Sequence, residues 1–129
     1  MTSDIKTDIP LLLVEDNPVD ALILEKMLSH SDQMHFKISV AGTLEKAIQL
    51  LHENTFEICL LDLVLPDSEG MPTFLSFIEE APACPVVIMT GLNDVNFALE
   101  AVRKGAQDYI IKGTIDDKFL LRILIYAME

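Results

Sequence analysis

ICLLDLVLPDSEG, residues 58–70, sets one carboxylate, Asp62, inside an otherwise apolar run and closes on an acidic turn that ends in glycine. A continuous apolar stretch of this length reads as a strand covered on both faces, as in a parallel sheet. Aspartate has poor strand propensity and is rarely buried without a partner. Asp62 therefore belongs at the strand's C-terminal end, where open parallel sheets hold their ligands. Within this segment alone, an aspartate that only caps the following loop explains the pattern equally well. The rest of the chain separates the two readings.

Outward from that strand the same alternation repeats. Toward the N-terminus, PLLLVEDNP (residues 10–18) is a short apolar run ending in Glu15 and Asp16. Asn17 is placed to cap a helix with Pro18 at its first position, where the missing N–H costs nothing. Ala21, Leu24, Met27 and Leu28 give that helix its stripe. Residues 35–40, HFKISV, alternate as a strand nearer the sheet edge. Thr43 caps the next helix, whose stripe is Leu44, Ala47, Ile48 and Leu51. Beyond Gly70 and Pro72, Phe74, Phe77, Ile78 and Ala81 predict a third helix, stopped by PACP at 82–85. Val86 to Met89 is a strand ending at Thr90-Gly91. Asn93 or Asp94 starts a helix striped by Val95, Ala98, Leu99 and Val102, and Lys104-Gly105 stops it. DYII (108–111) is the last strand. Asp116 opens the last helix, striped by Leu120, Ile123, Leu124 and Ala127.

Strand and helix thus alternate five times. The pattern predicts an α/β chain of three layers, a doubly wound (βα)5 arrangement of one parallel sheet with helices on both faces. Residues 1–8 read as a flexible tail and 9–129 as one domain, the N-terminal part of a longer protein whose last helix carries no stop signal. Half of the 129 residues are hydrophobic, which argues against disorder, and the longest apolar run is far too short to span a bilayer. With no signal peptide at 1–9, a cytoplasmic location and no membrane partner are expected. A net charge of −12 excludes nucleic-acid binding by this domain and suits a cation. Cys59, inside the apolar strand, and Cys84 read as a reduced pair.

The polar residues that end the strands then fall into one pattern. Glu15 and Asp16, Asp62, Thr90 and Lys112 each follow an apolar run, so all gather at the C-terminal edge of the sheet. Any one of them alone reads as a cap or a solvated loop end. Three carboxylates, a hydroxyl and an ammonium together do not read as packing. Crowded carboxylates invite a hard divalent cation, Mg²⁺ or alternatively Mn²⁺. A carboxylate is also a nucleophile able to form an aspartyl-phosphate. Thr90 and Lys112 suit the phosphoryl oxygens as donor and point charge, and Gly91 leaves room for the incoming group. The chemistry predicted is Mg²⁺-assisted phosphoryl transfer onto Asp62.

Four stretches, LLLVEDNP (11–18), LLDLVLPDSEG (60–70), VVIMTG (86–91) and GAQDYIIKG (105–113), give the chain a resemblance to receiver domains of the bacterial response-regulator family over nearly its whole length. That resemblance implies a flavodoxin-like fold of sheet order 2-1-3-4-5. It also implies phosphorylation by a histidine kinase or histidine phosphotransfer protein, in a module that is no enzyme on other substrates but catalyses its own phosphorylation and dephosphorylation. By the same resemblance Asp62 is the phosphoacceptor and Asp16 a direct metal ligand. Glu15 then acts on the metal through water, and the Val64 backbone carbonyl is the third protein ligand. Thr90 and Lys112 sense the phosphoryl group, with Tyr109 at the aromatic switch position; an ordinary strand aromatic is the alternative for Tyr109. One residue departs from the family pattern. Gly113 stands where proline, preceded by a cis bond, usually follows the lysine, and leaves open whether Lys112–Gly113 is trans or cis under strain.

The last two helices carry apolar residues off their core stripes: Phe97 and Ala101, then Leu121, Ile125 and Met128, with Tyr126 beside them. These are expected to form a partner surface, for a homodimer or a downstream domain. Other classes use similar residues. A Mg²⁺-dependent phosphatase with an Asp nucleophile needs a second acid nearby, and only Asp67, in the turn, offers itself. A module acting without phosphorylation keeps the acidic site and tolerates Gly113. An FMN carrier shares the fold class, but no Ser/Thr/Gly-rich loop follows the first strand.

Overall fold

The structure, a computed structural model, describes residues 6–32 and 34–129, with side chains from Asp8 onward. Five parallel strands form the central sheet: β1 (Lys6–Val14), β2 (Met34–Ala41), β3 (Ile58–Asp62), β4 (Val86–Thr90) and β5 (Asp108–Ile111). Their spatial order is β2-β1-β3-β4-β5. Five helices alternate with them: α1 (Pro18–Ser29), α2 (Leu44–Glu53), α3 (Met71–Glu80), α4 (Val95–Arg103) and α5 (Asp117–Met128). This is the three-layer, doubly wound arrangement that the alternation of apolar runs predicts. The three local caps act as read: Asn17 Oδ1 accepts from Val19 and Asp20, Thr43 Oγ1 from Lys46, and Asp116 Oδ1 from Phe119.

Side-chain alternation divides the core into two layers. Leu11 and Leu13 of β1, Ile58 and Leu60 of β3, and Val87 and Met89 of β4 pack under α1 and α5. Their neighbours Leu12, Val14, Cys59, Leu61, Val86 and Ile88 pack under α2, α3 and α4. All residues of β3 and β4 are buried, as two-sided coverage requires. Cys59 and Cys84 are both free thiols. Burial pushes the Cys59 thiol well up and that of Cys84 to about 11, so neither is a reactive thiolate. Among the described residues no helix is long and apolar enough to cross a membrane.

Four details depart from the reading of the sequence. Lys6–Asp8, read as the end of a tail, belong to β1, with a register shift between Lys6 and Ile9; residues 1–5 of that tail lie outside the described residues. After β3 the chain forms a small antiparallel hairpin, Val64–Leu65 against Ser68–Glu69, with Pro66 and Asp67 at its tip. A 3₁₀ turn over Leu92–Asp94 precedes α4, and Asp94 makes no side-chain cap bond. The helix α4 itself is rotated from the expected phase. Ala98 and Ala101 are buried against the sheet, whereas Leu99 and Val102 are exposed. Ala101 is therefore no part of an outer surface, and Phe97 packs against the core beside Gly70. The two alanines let the helix lie close on the sheet, and the larger Leu99 and Val102 are turned outward. On α5, Leu121, Ile125 and Met128 are half-buried and Tyr126 is 66 % exposed.

Candidate functional site

Strand order reverses at β1 and β3, and the residues that end those strands meet in the crevice beyond them. Asp62 is the last residue of β3, beside Met89 of β4, and is only 4 % exposed. Its Oδ1 accepts from the Val64 N–H at 2.8 Å and its Oδ2 from Lys112 Nζ at 2.9 Å. Glu15 follows β1 and is 2 % exposed. Its N–H donates to the Ala41 carbonyl, its Oε2 accepts from the Asn17 N–H at 3.1 Å, and its Oε1 from Lys112 Nζ at 2.7 Å. Asp16 is exposed at the mouth. Glu15, Asp16 and Asp62 each offer a carboxylate oxygen to a group in which all lie within 4.8 Å of one another.

Charge explains the arrangement. Burial raises the pKa of Glu15, and the nearby Asp62 charge adds to this against the opposing bonds from Lys112 and the Asn17 N–H. Burial acts to lower the pKa of Lys112, but the hydrogen bonds to Glu15 and Asp62 outweigh it and hold the ammonium above its ordinary range. A fixed cation thus sits between two buried carboxylates. Three oxygen donors this close, with one ammonium for three negative charges, make the donor set that a hard divalent cation takes.

Thr90 ends β4, opposite Ile111 of β5, one position beyond the partner of Asp62. It is buried, and its Oγ1 donates to the Gly91 carbonyl. The Thr90 carbonyl accepts from the Lys112 N–H at 2.8 Å, which ties the hydroxyl and lysine segments together. Gly91 has φ −83°, so no backbone demand calls for glycine there. The Lys112–Gly113 bond is trans, as are all peptide bonds among the described residues. Gly113 turns the chain with φ +84°, a conformation that favours glycine, and Thr114 closes the turn onto the Ile111 carbonyl. Tyr109 is half-buried and packs in the layer under α4.

Two acidic residues have roles that the sequence did not disclose. Asp67 is turned away from Asp62: its two oxygens accept from the Leu44 and Glu45 N–H groups at 2.9 and 3.0 Å, capping α2 from the hairpin tip. Those bonds hold its carboxyl below the usual aspartate range, the Leu44 bond most of all. An aspartate so engaged is not free to protonate a leaving group. Asp20, in the first turn of α1, places Oδ2 3.5 Å from Lys112 Nζ.

Residues 11–124 match the family profile of the response regulator receiver domain. The chain belongs to that family. As a receiver domain of a two-component response regulator it serves phosphorelay signalling. The regulatory protein LuxO of Vibrio cholerae is 34 % identical over 113 residues, 88 % of this chain and 24 % of LuxO. The transcriptional regulatory protein ZraR of Escherichia coli is 31 % identical over 112 residues, 87 % of this chain and 24 % of ZraR. The receiver domain thus spans about a quarter of the length of these curated relatives. Among solved structures, the N-terminal signal receiver domain of a response regulator from Bacteroides fragilis superposes with TM-score 0.81 at 23 % identity, over 97 % of this chain and 98 % of that one. The receiver domain of sensor histidine kinase PA1611 from Pseudomonas aeruginosa PAO1, which has a magnesium ion coordinated in its active site cleft, superposes with TM-score 0.79 at 24 % identity, over 95 % and 94 %.

Proposed function

We propose that this receiver domain accepts a phosphoryl group on Asp62 from the phosphohistidine of a histidine kinase or histidine phosphotransfer protein. The observation that carries the reading is the buried Asp62 carboxylate, set beside Glu15 and Asp16 and in contact with the Lys112 ammonium. The donor set fits Mg²⁺, for which the Asp16 and Asp62 carboxylates, the Val64 carbonyl and Glu15 through water are the holding groups. Such an ion, when bound, neutralises charge on phosphoryl oxygens and holds them in line for transfer. The magnesium ion in the cleft of the Pseudomonas receiver domain supports the same assignment here.

The protein's own groups do the rest. Val64 N–H fixes the Asp62 side chain through Oδ1, so that the remaining oxygen is presented to the phosphorus. Attack by that carboxylate oxygen breaks the phosphorus–nitrogen bond of the donor histidine, which keeps the electron pair. Lys112 then moves its hydrogen bond from Asp62 to a phosphoryl oxygen, and the Thr90 hydroxyl turns from the Gly91 carbonyl to another. Movement of Thr90 opens space on the α4 side of the sheet, toward which the Tyr109 ring swings. Water attack on the phosphorus of the same acyl phosphate breaks its bond to the Asp62 oxygen, releases inorganic phosphate and returns the carboxylate, so the domain catalyses both its charging and its discharge.

The altered face is that of α4, β5 and α5. Its outward apolar residues are Leu99 and Val102 on α4 and Phe119 and Tyr126 on α5. Leu121 instead lies beside Met27 and Leu28 of α1, and Ile125 and Met128 beside Met34, Phe56 and Pro85 at the N-terminal ends of the strands, so these three fall outside that face. We assign this face to a second copy or an output domain. The names of the relatives, regulatory proteins about four times as long as the matched segment, support an output unit elsewhere in the parent protein. The location is cytoplasmic on this reading, and the domain itself contacts neither membrane nor nucleic acid.

Initial rates of labelling by acetyl phosphate test the assignment. Asp16→Asn and Lys112→Met should each slow labelling by at least about tenfold, the first at sub-saturating Mg²⁺, with its Mg²⁺ dependence shifted to higher concentration, and the second even at saturating Mg²⁺. Unchanged rates in both variants would remove the reading, and hydrolytic turnover of an organic phosphate would replace it with the phosphatase.

A further inference from the structure

The Lys112 ammonium meets carboxylates of graded depth: the side chains of Glu15, Asp62 and Asp20 are 0, 6 and 39 % exposed. The main chain that carries Asp20 is fixed, because its N–H and that of Val19 donate to Asn17 Oδ1 at 3.1 and 2.9 Å and hold the first turn of α1. An ammonium has three protons, and three carboxylates surround this one. The floor of the site therefore shares its single cation with an acid at the mouth that no metal or nucleophile role requires.

We propose that Asp20 is a positioning residue of the phosphoryl site, acting through Lys112: it draws the ammonium toward the mouth and adds a fourth negative charge. The inference rests on the phosphoacceptor reading above. Two ligands of opposite charge then respond to Asp20 in opposite directions. A divalent cation gains from the extra carboxylate, whereas a phosphoryl group loses part of its hold on Lys112 and meets an additional like charge. The pair is partly exposed, so the effect is that of one screened charge and falls as salt is added.

The test measures Mg²⁺ binding by calorimetry and, at saturating Mg²⁺, binding of beryllofluoride as a non-covalent phosphoryl mimic. Asp20→Asn keeps the side-chain shape and removes the charge. It should weaken Mg²⁺ roughly three- to tenfold and tighten beryllofluoride by a similar factor at low salt, both shifts shrinking in 0.5 M salt (about a 4 Å screening length). Asp20→Glu, which restores the charge, should move both constants back toward wild type, and matched melting curves check that each variant is folded. A residue that only supports the fold would shift both constants the same way, and that outcome, or no shift in either, overturns the proposal. Wild type binding neither ligand would instead remove the phosphoacceptor reading itself.

Discussion

Lys112 joins residues far apart in the chain: Glu15 after β1, Asp20 in α1 and Asp62 at the end of β3. Removing it leaves two buried carboxylates facing each other, the costly way to break an ion pair. Because the lysine is itself partly exposed, Lys112→Met should cost about 1–3 kcal/mol in divalent-free buffer, seen as a lower urea midpoint at unchanged slope. Its folded pKa is raised, so this contribution is present below the ordinary lysine range and is lost as pH climbs past it. Asp67 behaves with the opposite sign. Its folded pKa is depressed, so its contribution is present above the usual aspartate range and is lost as pH falls through it. Asp67→Ala should cost about 1 kcal/mol at neutral pH and flatten the acid limb of a stability–pH curve. At this scale the strand-end residues were legible in the sequence, because each follows an apolar run. Asp67 was not, since its partners Leu44 and Glu45 lie 23 and 22 residues away and a local pattern shows only near neighbours.

Elements placed by strong periodicity were legible too, and the instructive failure is α4. Its sequence, VNFALEAVR, offers two overlapping apolar stripes, and side-chain size, not hydropathy, selects the one facing the sheet. Ala101→Leu should therefore overpack the core and cost about 1–3 kcal/mol, whereas Val102→Ser should stay within about 0.5 kcal/mol of wild type. The reverse order in thermal melts, with Val102→Ser the costlier substitution, would restore the phase read from the sequence. The hairpin after β3 escaped prediction because its strands are two residues long and show no period. Its end is set by Gly70, at φ +79° and ψ −148°, with the Phe97 ring 3.5 Å from where a Cβ would sit. Gly70→Ala should cost about 1–3 kcal/mol, read from the same melts.

For the molecule as a whole, 21 acidic against 9 basic residues leave a net charge of −12, with the sharpest concentration of buried carboxylate at one sheet edge. A ligand that binds only the folded state stabilises it by mass action, so Mg²⁺ at tenfold above its dissociation constant should add about 1.4 kcal/mol, or about 5 °C in melting temperature. Asp16→Asn should abolish the increment, and monovalent salt of equal ionic strength should not reproduce it. The fold class followed from the repeated apolar runs, and the site from the strand ends that a parallel sheet must bring to one edge. What packing alone decides, the rotation of α4 and the reach of Asp20 and Asp67, needed the structure. The central claim is that Asp62 is the phosphoacceptor. Intact-mass spectrometry after incubation with Mg²⁺ and acetyl phosphate addresses it most directly. The account predicts one added phosphoryl group on the wild-type chain, missing from Asp62→Asn and missing without Mg²⁺. An adduct retained by Asp62→Asn would contradict it.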